Sequence, residues 1–246
     1  MTPVIEGVTP IITAAGRGVR MQSQKTKTLF RIGGKPILEH TLISLRHTFC
    51  QPPIVVLSPS SSTLKELVRH YNGNFLIQPE PTGNAKALEL VLQNYSVTSP
   101  SVFVVNGDDS YLYSVQTLKN FAANFNSKLL EVSFITTHPL KPYPNVRKVI
   151  RDAGNNFTAL EYSDIYNEVV CGCYLFNTAW VKKHLPLLSP KPPKGEYLIV
   201  DLLTMAASTH AKIEPFLLTN PTEWWGINTR EDLMFARKLW KKQHPE

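Results

Sequence analysis

A loop rich in glycine and positive charge follows the first apolar segment of the chain, and its residue types suit phosphate binding. The apolar segment ends at Ala14-Ala15, and the loop runs through residues 16–20 as Gly-Arg-Gly-Val-Arg. Glycines let backbone amides approach phosphate oxygens. Arg20 can bind a phosphate through two N–H groups, and Lys27 adds a compact positive charge. The spacing matches neither the Gly-x-Gly-x-x-Gly pattern nor a Walker loop, so an ordinary tight turn is the alternative for the glycines alone.

Alternating apolar strands and amphipathic helices must position these groups. The predicted strands cover residues 10–15, 54–57, 75–77, 102–105, 132–137, 146–151, 157–161, 169–176 and 213–218. The predicted helices cover residues 37–45, 64–71, 85–95, 118–125, 179–185 and 197–207, with a last helix after Asn228. This order predicts an α/β fold with a Rossmann-like, mixed, mostly parallel sheet and helices on both faces. We predict a single domain over residues 1–246, with a ligand cleft at the carboxyl ends of its strands.

The last helix has a sequence signal for its first turn. The side chain of Asn228 can cap the helix, and Glu231 follows three residues later. A polar cap with an acidic residue three positions on is typical of a helix N-terminus. Asn228 is therefore the candidate cap of this helix.

Composition and charge exclude several classes of protein. The chain has 246 residues, of which 43% are hydrophobic and 18% charged, so it can form a core and is not largely disordered. It contains neither an apolar run of about 20 residues, as a membrane span needs, nor a signal-peptide pattern, so we expect a soluble, cytoplasmic protein. Three cysteines without Cys-x-x-Cys spacing argue against a disulfide framework or a zinc site. The net charge of +7 is scattered, which favours an enzyme for polyanionic small molecules over nucleic-acid binding.

The motifs, in this order, resemble those of the sugar-1-phosphate nucleotidyltransferases. The family signature Ala-Ala-Gly-x-Gly-Thr-Arg-Met, a later Lys and a Gly-Lys-Pro are matched by residues 14–21, by Lys27 and by residues 34–36. Further matches are Gln78 with the Thr82-Gly83 turn, Asn106-Gly107-Asp108, Gly195-Glu196-Tyr197 with Asp201, and Gly226-Ile227-Asn228. The resemblance extends over nearly the whole chain. It is greatest to the uridylyltransferase domain of the bifunctional N-acetylglucosamine-1-phosphate enzymes, and it implies the nucleotide-diphospho-sugar transferase fold.

The resemblance assigns a role to each matching residue. It implies catalytic roles for Arg20 and Lys27, nucleotide binding by Ala14, Ala15, Gly16, Gly18, Gln78, Thr82 and Gly83, sugar binding by Arg147, Glu161 and Val170, and magnesium binding by Asp108 and Asn228. The implied reaction joins UTP or dTTP to a hexose-1-phosphate and releases pyrophosphate, with Mg²⁺ as cofactor. The expected partners are a nucleoside triphosphate and a sugar phosphate, without nucleic acid or membrane. An amide such as Gln78 can complement the edge of uracil or thymine.

Several positions depart from the family pattern and keep alternatives open. Val19 replaces a Thr, Thr26 a Pro, Pro81 a Gly, Arg147 a Gly and Val170 an Asn. The last two fall in the expected sugar pocket, so a choline or polyol phosphate is an alternative acceptor. A non-catalytic regulatory relative that binds a nucleotide sugar is a third reading, against which the retained charged residues argue. Individual residues also have structural alternatives: Asp108 or Asn228 as a cap, Gln78 as a strand-end polar residue, Glu161 as an exposed strand residue.

Overall fold

A mixed, mostly parallel β-sheet forms the centre of the molecule. The computed structural model describes residues 4–16, 26–142, 146–163 and 165–244. Its strands are β1 (Val8–Ala14), β2 (Arg31–Ile32), β3 (Lys35–Pro36), β4 (Ile54–Leu57), β5 (Asn74–Ile77), β6 (Ser101–Asn106), β7 (Val132–Thr137), β8 (Arg147–Arg151), β9 (Phe157–Tyr162), β10 (Val169–Asn177) and β11 (Ile213–Leu217). The main sheet has the spatial order β11-β7-β10-β6-β1-β4-β5, with β8 paired to β10 and β9 paired to β8. β2 and β3 form a separate short hairpin.

Helices connect the strands. They are α1 (Ile37–Thr48), α2 (Ser62–His70), α3 (Asn84–Asn94), α4 (Val115–Ser127), α5 (Thr178–His184), α6 (Val200–Ser208) and α7 (Arg230–Gln243). The apolar stripe of α1, which includes Leu38, Leu42 and Leu45, is fully buried, as its helical spacing predicts. In the described parts of the chain, no helix combines the length and the apolar character that crossing a bilayer requires.

Two hydrophobic clusters cover the two faces of the sheet. Ile11 and Ile12 are neighbours in β1, yet Ile11 belongs to one cluster and Ile12 to the other, and both are fully buried. Successive strand residues point to opposite faces, so a strand that is apolar throughout must be covered twice. The prediction of a mostly parallel sheet with helices on both faces is confirmed.

The parallel strands bring their carboxyl ends to one edge of the sheet. β1 pairs in parallel with β4 on one side and with β6 on the other, and β4 pairs in parallel with β5. The strand β10 is antiparallel to β6 and β7. The segments that follow β1, β5 and β6 therefore leave the sheet at the same edge, which is where an α/β sheet binds its ligands.

The structure corrects the predicted start of α6. The helix begins at Val200 rather than at Tyr197. The backbone N–H and carbonyl of Tyr197 form hydrogen bonds with another segment of the chain instead. Its N–H donates to the carbonyl of Thr82 at 2.9 Å, and its carbonyl accepts from the N–H of Ala85 at 3.0 Å. These two bonds join the segment before α6 to the turn that opens α3.

The predicted cap of the last helix is also wrong. α7 is capped by Thr229, whose side chain accepts from the N–H of Asp232, while the Asp232 carboxylate accepts from the backbone of Thr229. This reciprocal arrangement is a capping box shifted by one residue from the predicted pair of Asn228 and Glu231. The amide oxygen of Asn228 accepts a hydrogen bond from the Lys27 ammonium instead.

The turn before α3 predicts a measurable cost for adding one methyl group. Gly83 has a φ of +106°, and a Cβ built there would lie 2.2 Å from the Tyr197 carbonyl oxygen. Gly34 also has a positive φ, +80°, but has open space around its Cβ position. We expect Gly34→Ala to cost about 1–2 kcal/mol of unfolding free energy from backbone strain. Gly83→Ala should cost more because it adds the clash, and thermal unfolding of both variants measures the difference.

A drop in melting temperature of about 2–4 °C per kcal/mol is expected for a chain of this size. Equal drops for the two variants would contradict the close approach of Gly83 and Tyr197.

Candidate active site

The side chain of Lys27 lies at the centre of a cluster of oxygen atoms. Its ammonium forms an ion pair with Asp108 Oδ2, donates to the carbonyl of Ile227 at 2.7 Å and donates to Asn228 Oδ1 at 3.0 Å. The Lys27 side chain is largely buried. Three oxygens from two distant segments therefore surround one positive charge. We call Lys27, Asp108 and Asn228 the lysine cluster.

Three different elements supply the lysine cluster. Lys27 is the first residue of a single 3₁₀ turn, Lys27–Leu29, on the segment between β1 and α1. Asp108 follows the end of β6, and Asn228 precedes the capped start of α7. The N–H of Ile227 donates to the backbone carbonyl of Asp108 at 3.2 Å, which joins the last two segments. The cluster thus depends on the edge of the sheet where the parallel strands end.

A second carboxyl group lies directly behind the cluster. Asp109 is half-buried, with its Oδ1 inaccessible to solvent, and burial together with the charge of Asp108 raises its pKa well above the ordinary value of 3.8. Asn106 Nδ2 lies 3.5 Å from its Oδ2. Burial disfavours the ionised form of a carboxyl group, and an adjacent carboxylate disfavours it further. Both effects shift Asp109 toward its neutral form.

The larger cavity of the site, of about 530 Å³, opens beside the lysine cluster. The residues predicted for the nucleotide that line it are Ala14, Ala15, Gly16, Gln78 and Gly83, and it is also lined by Lys27, Asp108 and Asn228. Thr82 is not among its lining residues; its hydroxyl accepts instead from Gln78 Nε2 at 3.3 Å. Gly18 and Arg20 lie outside the described residues. The structure thus brings most of the predicted nucleotide residues to one cavity.

Two asparagines at this cavity escaped the sequence interpretation. Asn84 Nδ2 donates to Asn106 Oδ1 at 3.1 Å, and the hydroxyl of Thr13 donates to the same oxygen at 3.2 Å. Asn84 Oδ1 accepts from the N–H of Ile199 at 2.9 Å. These bonds link β1, β6, the start of α3 and the segment before α6. The sequence signals were present, since Asn84 follows the Thr82-Gly83 turn and Asn106 precedes Gly107-Asp108.

Lys194 and Glu196 also line the larger cavity. They belong to the segment before α6, in which the N–H of Lys191 donates to the carbonyl of Glu196 at 2.9 Å. Lys194 adds a positive charge that the sequence interpretation did not assign. A cation on this wall favours an anionic ligand.

A second cavity, of about 270 Å³, adjoins the first. Asn84, Asn106, Asp108 and Asn228 line both cavities, so the lysine cluster lies where the two meet. Arg147 and Val170, two of the three residues predicted for the sugar, line the second cavity. Glu161 does not: it is exposed and paired with Lys148 in the β8–β9 hairpin. Its neighbour Tyr162 lines the cavity, as strand alternation requires.

An ion pair attaches the β8–β9 hairpin to the main sheet. Arg151 Nε and Nη2 donate to the two carboxylate oxygens of Glu168 at 2.8 and 2.7 Å, and the hydroxyl of Thr136 donates to one of these oxygens at 2.6 Å. Burial raises the pKa of Glu168, but the hydrogen bonds from Arg151 and Thr136 outweigh it and hold the pKa below 4.5. We call this pair of parallel hydrogen bonds the Arg151–Glu168 fork. It holds in place the strand that presents Arg147 to the second cavity.

The donor atoms of the lysine cluster fit a hard divalent cation. A carboxylate, a backbone carbonyl and an amide oxygen are the ligand types that Mg²⁺ and Ca²⁺ prefer. They already converge on a cation, the ammonium of Lys27. The described residues contain no cluster of three or more histidine, cysteine or acidic side chains that could hold a metal ion without other ligands. Mg²⁺ is often bound by one or two carboxylates together with substrate phosphates, and Asp108 could supply such a carboxylate.

Comparisons with known proteins agree with this geometry. The model of the MobA-like NTP transferase domain matches residues 10–168. The bifunctional protein GlmU of Thermodesulfovibrio yellowstonii is 29% identical over 235 residues, which are 93% of this chain and 51% of the relative. The bifunctional protein GlmU of Aquifex aeolicus is 27% identical over 94% of this chain and 53% of its own length. The chain thus spans about half the length of these relatives. The predicted kinship with nucleotidyltransferases is confirmed.

Two solved structures share the fold. The inositol-1-phosphate CTP transferase from T. maritima has a TM-score of 0.75 at 20% identity and covers 97% of this chain and 96% of its own. A putative glucose-1-phosphate thymidylyltransferase from Bacillus anthracis, in complex with a sucrose, has a TM-score of 0.79 at 17% identity and covers 95% of each chain. At these identities the likeness shows the fold alone.

The ion pair of Glu168 predicts how the stability of the protein depends on pH. Because the pKa of Glu168 is lower in the folded protein than its ordinary value of 4.5, ionised Glu168 stabilises the fold above that pH. This contribution is lost as the pH falls from 4.5 through the lower, folded pKa. We expect the unfolding free energy of Glu168→Gln to fall less over this acid range than that of the unchanged protein, as measured by urea unfolding.

The matched control is Glu66→Gln, which neutralises an exposed glutamate on α2. It should keep the pH dependence of the unchanged protein. Identical acid profiles for Glu168→Gln and Glu66→Gln would show that the Arg151–Glu168 fork does not stabilise the fold.

Proposed function

This chain belongs to the MobA-like NTP transferase domain family, and we propose that it is a magnesium-dependent nucleotidyltransferase for an acceptor phosphate. The proposed reaction joins a pyrimidine nucleoside triphosphate, UTP or dTTP, to a sugar-1-phosphate or a related hydroxylated phosphate and releases pyrophosphate. Residues 1–246 act in it as one domain. The single observation that carries the proposal is the position of the lysine cluster at the junction of the two cavities.

Two adjoining cavities suit a reaction between two phosphorylated substrates. The larger cavity is lined by Gly16, Gly83 and Gln78, and we assign it to the nucleotide. The smaller one contains Arg147, Tyr162 and Val170, and we assign it to the acceptor. An acceptor phosphate oxygen then attacks the α-phosphorus, and the bond between this phosphorus and the departing pyrophosphate breaks. The oxygen is already anionic, so the residues need not remove a proton.

The principal barrier to this reaction is the repulsion between two anions. Lys27 supplies a positive charge that is held in place by three oxygens and so needs little reorganisation. Lys194 adds a second charge on the wall of the larger cavity. Holding both substrates at the junction adds the advantage of proximity and orientation. Arg20, which lies outside the described residues, remains a predicted third cation for the triphosphate.

The proposed magnesium ligands are Asp108 and Asn228. When bound, Mg²⁺ would neutralise phosphate charge and polarise the bond to the departing pyrophosphate. Asp108 offers the carboxylate, and Asn228 offers an amide oxygen.

The proposed base contact is the amide of Gln78. Its Nε2 donates to Thr82 Oγ1 at 3.3 Å and to the Gly83 carbonyl at 3.2 Å, which fixes the direction of the amide. In the described part of the chain, no donor is bonded to its oxygen, so this oxygen is available for the N3–H of uracil or thymine. The N–H of Thr82 already donates a hydrogen bond to the carbonyl of Glu80, at 2.9 Å. The second contact to the base therefore falls to the N–H of Gly83.

A cationic acceptor is disfavoured. Recognition of a quaternary ammonium such as choline uses the open face of an aromatic ring. Three aromatic side chains, those of Tyr162, Tyr174 and Trp224, line the acceptor cavity. One face of Tyr162 is already covered by the Arg147 guanidinium, whose central carbon lies 3.7 Å from the ring centroid. Arg147 would also repel a cation. A sugar or polyol phosphate is therefore the preferred class.

The test of the proposal is pyrophosphate release over a matrix of substrates with Mg²⁺. The matrix combines UTP, dTTP, CTP, ATP and GTP with sugar-1-phosphates, a polyol phosphate and choline phosphate. We expect release with a pyrimidine nucleotide and a hydroxylated acceptor. Nucleotide-sugar binding without pyrophosphate release from any pair would instead favour a non-catalytic relative.

Removing the charge of Asp108 predicts a change in the magnesium requirement. Asp108→Asn keeps the shape of the side chain but removes its negative charge, so a higher Mg²⁺ concentration should be needed for half-maximal turnover. Maximal turnover should also fall, by about 10²-fold. Asp152→Asn, which neutralises an exposed aspartate in the β8–β9 turn, is the control. Overlapping magnesium titrations for the two variants would rule out Asp108 as a ligand.

Truncating Gln78 predicts a loss of base selectivity. The unchanged protein should prefer UTP or dTTP to ATP and GTP by at least ~10-fold in kcat/KM, which corresponds to ~1.4 kcal/mol. Gln78→Ala should reduce this preference, because the oxygen that accepts from the base is lost, while the magnesium titration stays close to that of the unchanged protein.

Competition among the five nucleotides with one acceptor measures the preference, and Gln116→Ala, on the exposed surface of α4, serves as the control. If ATP or GTP is preferred, or if Gln78→Ala leaves the preference intact, the base assignment is incorrect.

A further inference from the structure

The acceptor cavity has a single cationic side chain among its described lining residues, that of Arg147. Arg147 is the first residue of β8, and its ion pair is with Asp201 rather than with Asp108. Its charge is therefore separate from the lysine cluster, which faces the reacting phosphates. A cation that belongs to the acceptor cavity alone indicates a second polar group on the acceptor.

Three neighbours hold the guanidinium of Arg147 in one orientation. It stacks on Tyr162, its cross-strand partner in β9. Its Nη2 lies 3.4 Å from Asp201 Oδ1, at the start of α6. The Arg151–Glu168 fork, four residues along β8, fixes the strand. The Arg147 side chain is only 18% exposed. A planar group held in this way is preorganised to bind an anion at low entropic cost.

Among the described residues, most of the hydrogen-bonding capacity of Arg147 is unused. A guanidinium has five N–H groups. In the described part of the chain, Arg147 forms one hydrogen bond, the long contact with Asp201. The strong geometry for a guanidinium is a pair of parallel bonds to two oxygens of one carboxylate or phosphate. Asp201 does not provide it, since only Oδ1 approaches Arg147.

The Asp201 carboxylate pairs with Arg147 through only one of its two oxygens. Its Oδ2 is buried and has no hydrogen-bond partner among the described residues. Burial raises the pKa of Asp201, an effect that the charges of Lys191 and Arg147 oppose only in part. The negative charge beside Arg147 is thus destabilised by its surroundings. The one long contact with this carboxylate leaves the other N–H groups of Arg147 without a partner among the described residues.

The other described side chains that line this cavity carry no positive charge. Val170, Leu198 and Val200 line it with apolar groups. Asp108 and Asn228 belong to the lysine cluster, and Asn84 is bonded to Asn106 and Ile199. Among the described lining residues, Arg147 is therefore the one side chain that offers a positive charge to an anionic substituent.

We propose that Arg147 selects an acceptor that carries a second oxyanion, a carboxylate or a second phosphate, in addition to the phosphate that reacts. This inference rests on the proposed function, because it names the class of acceptor for the same reaction. The guanidinium binds the second oxyanion through two parallel N–H bonds while its face stays on Tyr162. A neutral sugar phosphate lacks the oxyanion and is bound less tightly.

The chain offers a matched control for Arg147. Lys148 is the next residue of β8, pairs with Glu161 and does not line the acceptor cavity. Lys148→Gln therefore removes the same charge from the same strand on its other face. Arg147→Gln removes the guanidinium, and Arg147→Lys keeps the charge but loses the planar fork.

The experiment compares kcat/KM for three acceptors: glucose 1-phosphate, glucuronic acid 1-phosphate and glucose 1,6-bisphosphate. In the unchanged protein, at least one of the two doubly anionic acceptors should exceed glucose 1-phosphate by about 10-fold or more, and the better one identifies the oxyanion. Arg147→Gln should abolish that ratio, Arg147→Lys should reduce it, and Lys148→Gln should preserve it. Equal values for all three acceptors, or an unchanged ratio in Arg147→Gln, would overturn the inference.

A binding measurement separates this inference from the proposed function. If the unchanged protein releases no pyrophosphate with any acceptor, the proposed function fails. Calorimetric titration of the same three compounds into the unchanged protein and Arg147→Gln then decides the role of Arg147. Tighter binding of a doubly anionic compound that Arg147→Gln loses supports it, and equal affinities overturn it. Thermal unfolding of each variant establishes that it is folded, and Arg147→Lys replaces Arg147→Gln if that variant is not.

Discussion

The arrangement of the site depends on the contact of one ammonium group, that of Lys27, with oxygens from two distant parts of the chain. Asp108 follows a central strand, Asn228 precedes the last helix, and the carbonyl of Ile227 completes the set. Each oxygen is more stable beside a cation, and the largely buried cation requires the oxygens. The 3₁₀ turn that begins at Lys27 is thereby attached to the edge of the sheet where the parallel strands end.

The rest of the fold holds this edge and its two cavities in place. The capping box of Thr229 and Asp232 starts α7 one residue later than predicted, so the side chain of Asn228 can turn toward Lys27. The Tyr197 backbone holds the turn before α3, on whose other side Gln78 is fixed. The Arg151–Glu168 fork presents Arg147 to the smaller cavity. The lysine cluster, the turn beside Gln78 and the strand that carries Arg147 are thus each held by a different set of hydrogen bonds.

Periodicity predicted the sheet and its helices, because strands buried on both faces and helices buried on one carry distinct apolar patterns. Motif order predicted Lys27, Asp108 and Gln78. Neither signal predicted the contact of Asn84 with Asn106, since which polar neighbours meet across a sheet edge depends on side-chain direction. The position of Glu161 outside the cavity follows from strand alternation around Tyr162, which becomes decisive only once the hairpin register is known. The cap of α7 was misassigned because Asn228 and Thr229 are both good caps, and only the contact with Lys27 distinguishes them.

The most direct test of the lysine cluster is the turnover of Lys27→Ala with the preferred nucleotide and acceptor. We expect a folded protein, by circular dichroism, whose pyrophosphate release is slower by about 10²–10³-fold, because one preorganised positive charge is missing at the junction of the cavities. Lys65→Ala, on the surface helix α2, should keep the original rate. A rate for Lys27→Ala within a few fold of the unchanged protein would contradict the account.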